Sequence, residues 1–262
     1  MARVTEKYAS DPIEQAKAQA LAEYSAKKTS SVPTEIVDLP SEGRFYPKDH
    51  PLRSGKIEMR YMTAYDEDIL TNASYIRNGV AINKLLSELI VTPGVKFDDI
   101  LNCDKDAMII AARILSYGKM YDAKITTPSD KEIQFSIDLT KLDLQKSIIQ
   151  ADADGLCTYK DDDYDIRFRF LTIHEQSRVV TSDKPLFEFL KQSIVSLNGE
   201  TSRQAITEYL QYNMLAMHSK KIRKYITDNL PAIDLTYEFE DEDGGVFRRR
   251  FPVGPDFFYP ES

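Results

Sequence analysis

The side chains whose type and spacing come nearest to chemistry in this 262-residue chain are carboxylates. Asp161-Asp162-Asp163, with Asp165 close behind, and the run Glu240-Asp241-Glu242-Asp243-Gly244 put four acids within a few positions of one another. Such groups could serve as general acids and bases, or bind a hard cation such as calcium, which takes oxygen ligands from closely spaced carboxylates around a glycine-permitted turn. The 240–244 run has that composition without the full loop pattern, and crowded carboxylates repel unless hydrated. Solvated surface turns are therefore the simpler reading of both. His50, His174 and His218 are scattered, and none stands in His-x-x-x-His or Glu-x-x-His spacing. Cys103 and Cys157 have no neighbouring cysteine with which to build a metal cage, and they read as reduced core thiols. No Gly-x-Ser-x-Gly elbow and no glycine-rich phosphate loop is present. The sequence thus points away from an enzyme and from a cofactor.

Residues suited to binding are better represented. Lys220-Lys221-Ile222-Arg223-Lys224 and Arg248-Arg249-Arg250 are the dense positive stretches, and Phe257-Phe258-Tyr259 and Phe45-Tyr46 are the dense aromatic ones. Lys221, Arg223 and Lys224 suit an acidic partner subunit, because ionic complementarity orients assembly, or simply form a solvated helix face. Arg44, Phe45, Tyr46, Phe257, Phe258 and Tyr259 are candidate contact residues, since aromatics and arginine dominate interface hot spots. The aromatic segments have the alternative of closing the protein's own core and packing against each other. With 42 acids against 34 bases and a net charge of −8, the chain is poorly suited to clamping a phosphate backbone. Its longest apolar runs fall well short of the roughly 20 residues of a membrane span, and the charged N-terminus lacks a secretory core.

The elements that must hold these residues follow from periodicity and turn chemistry. Residues 1–35 read as a helical arm, with Ile13, Ala16, Ala20, Leu21 and Tyr24 in a thin stripe, followed by a linker. From Ile36 to Pro51 the density of Pro, Gly and Ser predicts an extended, turning segment. A strand is expected over Lys56–Met62, a helix over Asp66–Asn78 started by Thr63 and Asp66, a second over Ile82–Ile90, and the most apolar helix from Asp104 to the Gly118 stop. Alternation predicts one hairpin from Tyr121–Thr126 and Glu132–Ile137, a strand over Tyr164–Leu171, and a last hairpin from Leu235–Phe239 and Val246–Phe251. Helices are expected over Lys184–Val195, Ser202–Tyr212 and Ser219–Asn229. The expected fold is α+β: helical subdomains at 36–150 and 151–262, each followed by a short β-hairpin, behind the 1–35 arm.

Several ordered segments carry a family resemblance. Leu39-Pro40-Ser41-Glu42-Gly43-Arg44-Phe45-Tyr46-Pro47, then Thr63-Ala64-Tyr65-Asp66-Glu67, then Ala111-Ala112-Arg113-Ile114-Leu115-Ser116-Tyr117-Gly118, Asn213-Met214-Leu215-Ala216-Met217-His218 and Pro255-Asp256-Phe257-Phe258-Tyr259-Pro260 follow one another in the chain. Over about 36–260 the sequence resembles the baseplate hub assembly proteins of contractile-tailed (T-even-like) bacteriophages. The resemblance implies a structural or assembly component that binds other baseplate or hub subunits, made in the host cytoplasm and located in the virion tail if retained, with no nucleic acid, membrane or small-molecule substrate as partner. The alternatives are a transient assembly chaperone absent from the mature virion and a hydrolase using Asp130, Asp161, Asp163 and the 240–243 acids. The resemblance also implies zinc-knuckle turns with Cys-Pro-x-Cys and Cys-x-x-Cys-Gly. Here Thr127, Asp130, Glu240 and Asp243 stand at the cysteine positions, so the hairpins are degenerate knuckles and zinc in that style is not expected.

Overall fold

The computed structural model describes residues 32–126, 132–240, 244–250 and 253–259. Residues 1–31 of the expected 1–35 arm and linker, and the two hairpin turns carrying Thr127, Asp130 and Asp243, lie outside the described residues, while Thr34 and Glu35 at the end of that segment are already in a strand. Within them the fold mixes eight α-helices with small antiparallel sheets of two or three strands, an α+β arrangement.

The chain begins with strand β1 (Thr34–Asp38), paired antiparallel with β2 (Lys56–Arg60) in the register Thr34↔Arg60. Between them the Pro- and Gly-rich segment folds back on itself. Gly43 has φ +74°, and a Cβ there would stand 2.3 Å from the Arg53 carbonyl oxygen, so only glycine lets these two backbones touch.

Thr63 and Asp66 start α1 as their types predict: the Thr63 N–H donates to the Asp66 carboxylate at 2.8 Å. The helix expected over Asp66–Asn78 is instead two, α1 (Ala64–Thr71) and α2 (Ala73–Arg77). Asn72 divides them, because its Oδ1 accepts from the N–H groups of Ser74 and Tyr75 and caps a new helix. Helix α3 (Ala81–Leu89) buries Ile82, Leu85, Leu86 and Leu89 on one face. Helix α4 (Lys105–Tyr117), preceded by a 3₁₀ turn at Asn102–Asp104, buries Met108, Ile109 and Ala112.

The first hairpin forms as β3 (Met120–Thr126) and β4 (Glu132–Asp138), followed by the short β5 (Leu144–Gln145). A three-stranded sheet then gathers β6 (Cys157–Lys160), β7 (Asp165–Phe168) and β8 (Ile194–Leu197), with β7 central. Helices α5 (Ile173–Thr181) and α6 (Pro185–Ser193) connect β7 to β8. The helix expected over Lys184–Val195 therefore ends at Ser193. Ile194 and Val195 are β-branched, and Ile194 pairs with Phe168 of β7 while Val195 lies at an irregularity in that pairing, a tertiary choice that helical periodicity does not register. Helices α7 (Arg203–Tyr212) and α8 (Ala216–Asp228) lead through β9 (Ala232–Ile233) to the second hairpin, β10 (Thr236–Glu240) and β11 (Val246–Arg250).

The parts of the chain before and after residue 150 are stitched together. β5 pairs with β9, Leu101 bridges to Thr172, and the Ile173 N–H donates to the Ile100 carbonyl at 2.8 Å. The two hairpins meet through Phe135 and Phe239, whose ring centroids lie 4.9 Å apart edge to face. One buried apolar cluster consequently extends from Leu39 to Phe258.

Candidate interaction surface

The Leu39–Pro47 segment is organised around a buried carboxylate that its own residues do not contain. Asp104, at the start of α4, accepts from the Ser41 N–H at 2.9 Å, the Ser41 hydroxyl at 2.8 Å and the Tyr46 hydroxyl at 2.8 Å. Tyr46 in turn accepts the Leu101 N–H at 2.9 Å. Burial pushes the Asp104 carboxyl up to about 6 although these donors oppose it, and burial beside that charge pushes the Tyr46 phenol far above its ordinary value. Tyr46→Phe is expected to cost about 1–3 kcal/mol in urea unfolding, because the buried Leu101 N–H loses its acceptor and Asp104 loses a donor. Phe45 packs edge to face on Phe170 at 4.7 Å. Arg44 extends over the Phe45 ring, donates to the Ser147 carbonyl at 2.9 Å and lies 3.3 Å from Glu42. Phe45 and Tyr46 are buried, and Arg44 is half-buried.

The C-terminal aromatic segment closes over α4. Phe257 packs on Tyr121 at 4.8 Å, and Phe258 and Tyr259 contact Tyr117 at 6.5 and 5.8 Å. Buried Arg113 donates to the Phe257 and Gly118 carbonyls at 3.3 and 3.2 Å and lies over the Tyr117 ring. Phe257 and Phe258 are buried, and Tyr259 remains exposed. The two aromatic segments thus find different ring partners within the chain.

On α8 the buried stripe is Ile222 and Ile226, with Tyr225 packed beside it. Lys221 donates to Asp161 at 2.8 Å, Lys224 to Asp228 at 2.5 Å, and Arg223 to the Ser219 hydroxyl. Part of the basic helix face is therefore already matched by acids of the same chain. Lys221 and then Tyr159 hold the Asp161 carboxyl well below its ordinary range. Asp163 stands 3.8 Å from His218, whose ring meets the Tyr164 hydroxyl at 3.1 Å, and Asp165 pairs with Lys160 at 2.7 Å. Asp161, Asp163 and Asp165 turn to separate local partners, and among the described residues no three His, Cys, Asp or Glu side chains gather where they could hold a metal. Both thiols are buried, and burial pushes Cys157 up to about 12 and Cys103 well above its ordinary value. One hydroxyl and three carboxylates at the knuckle positions do not fit soft four-thiolate zinc chemistry.

None of the contact residues nominated from the sequence lies around the turn between α7 and α8, where several large apolar side chains are exposed. Tyr212, Leu215 and Met217 are 75%, 59% and 68% exposed within six positions. Part of the signal was present: Tyr212 falls off the spacing set by Ile206 and Leu210 on α7, and Met217 falls off that set by Ile222 and Ile226 on α8. A large apolar side chain that is out of step with its helix's buried face has no place in the core.

The chain matches the model of the family described as T4 bacteriophage base plate protein over residues 33–246. No curated protein and no solved structure matches it significantly. The matched span runs from the first strand through α8 to the second hairpin, and on that ground the chain belongs to the T4 bacteriophage base plate protein family.

Proposed function

We propose that this protein is a non-enzymatic structural component of the baseplate hub, held in place by contacts with neighbouring baseplate subunits. The observation that carries the reading is the family match over residues 33–246. In this reading Lys221, Arg223, Lys224 and Tyr259 face neighbours. Arg44, Phe45, Tyr46, Phe257 and Phe258 contribute from beneath, by fixing the shape of the surface that a neighbour meets. The protein is made in the host cytoplasm and carried into the tail.

Mass spectrometry of purified intact tails, alongside a pull-down of the tagged protein from cells midway through phage assembly, tests the reading. A resident subunit is found in both at stable stoichiometry. Presence only in the pull-down would make the protein an assembly chaperone that leaves before the virion is complete. Absence of tail proteins from the pull-down, together with absence of the chain from tails, would overturn the reading.

A further inference from the structure

Met217, the last of the exposed apolar side chains around the turn between α7 and α8, begins a line of positive charge. Met217, Lys220, Lys221 and Lys224 recur at i, i+3, i+4 and i+7 along α8, so they share one face of that helix. Met217 and the three lysines are all exposed. Lys221 and Lys224 each meet one acid of the chain, and Lys220 meets none among the described residues. A chain with a net charge of −8 therefore gathers four bases in positions 220–224, directly beyond three exposed apolar side chains.

The base beneath this surface is fixed. The Met214 N–H donates to the Tyr209 carbonyl at 3.0 Å, the Ser219 N–H donates to the Leu215 carbonyl at 3.0 Å, and His218 is tied to Tyr164. The apolar side chains are consequently presented on a preformed turn, which lowers the ordering cost of binding.

From this geometry we infer that Tyr212, Leu215 and Met217, with the Lys220–Lys224 face of α8, form the docking site for an acidic amphipathic segment of another baseplate subunit. Its apolar side chains seat on the turn, and its carboxylates run along the lysines. The polarity of the surface, apolar at the N-terminal end of α8 and basic beyond it, fixes the direction in which the segment lies. The inference rests on the baseplate reading and adds to it the chemistry of the partner.

The test uses the full chain and a set of overlapping 20-residue peptides tiled across the other baseplate proteins of the same phage, with binding followed by fluorescence polarisation. The expected result is that acidic amphipathic peptides bind and weaken with added salt. Leu215→Ser/Met217→Ser is expected to lose about tenfold or more in affinity. Lys220→Glu/Lys224→Glu is expected to do the same, with recovery for peptides whose acids are changed to lysine. Because these side chains are exposed, the melting temperature of the apolar variant stays at the parent value, and that of Lys220→Glu/Lys224→Glu falls by no more than a few degrees through loss of the Lys224–Asp228 pair, so loss of binding is not loss of fold.

Failure of every peptide to bind, or binding indifferent to both variants, overturns the inference. So does concentration-dependent self-association of the chain alone that both variants abolish, since the site would then serve a second copy. If the chain is present in purified tails and the peptides fail, the docking site falls and the baseplate reading stands. If the chain and its tail partners are missing from tails and pull-down, the reading itself falls.

Discussion

Arg60→Ala is expected to destabilise the fold by about 3–5 kcal/mol, the loss typical of removing one partner from a buried ion pair. Asp66 is buried, and the Arg60 guanidinium grips it with two bonds of 2.6 and 2.8 Å. The same carboxylate accepts from the Thr63 N–H and hydroxyl, each at 2.8 Å, so one acid joins β2 to the start of α1. Burial raises its pKa, but the Arg60 fork and the Thr63 donors more than offset this, leaving the carboxyl below its ordinary value. A depressed acid contributes stability that is present above the unfolded-state pKa and is lost as pH falls through the folded one. Denaturant unfolding of the parent should show that acid-side loss, and Arg60→Ala should show much less of it because only the Thr63 donors then oppose the burial of the Asp66 carboxylate. Arg60→Lys keeps the charge without the planar fork and is expected to recover only part of the stability. An Arg60→Ala variant as stable as the parent would show that the pair is not what joins these elements.

Asp104→Asn is expected to cost about 2–4 kcal/mol and to change the pH dependence in the opposite sense. An amide nitrogen at that position cannot accept from the Ser41 and Tyr46 donors, so at least one buried donor is left without a partner. The native carboxyl holds its proton up to about pH 6, whereas its ordinary value is 3.8. Between those values the native state binds more protons than the unfolded state. This contribution is therefore fully present below about pH 4 and is lost as pH rises through 6, amounting to roughly 3 kcal/mol. Urea titrations at steps from pH 4 to 8 should give a declining component in the parent that Asp104→Asn lacks. Equal slopes in the two proteins would sink this account of the site.

Both residues are second halves of motifs that looked local in the chain. Ser41 and Tyr46 read as parts of a turning segment, and Asp104 as the start of a helix. What joins them is a contact across about sixty positions, to which no spacing rule applies. Arg60 reads as one alternating residue of a strand, and only the fold shows its partner to be the acid that caps the next helix.

The sequence by itself determined the elements whose signals are local. Thr63 and Asp66 start α1, Gly118 stops α4, and the alternating residues of β3, β4, β10 and β11 form hairpins, because capping and alternation involve neighbours in the chain. The ordered motifs were likewise enough to place the chain among phage baseplate proteins, as the family match over 33–246 bears out. The tertiary structure alone decided which surfaces are open. Phe45, Phe257 and Phe258 have the composition of contact residues, yet Phe170, Tyr121 and Tyr117 enclose them, since a large aromatic side chain gains most where apolar atoms surround it. Tyr212, Leu215 and Met217 are of no more conspicuous type, yet all three are exposed; Tyr212 and Met217 are out of step with the buried stripes of α7 and α8. Burial is a property of the whole packed chain, so residue type can nominate an interface while packing decides which residues remain to form it.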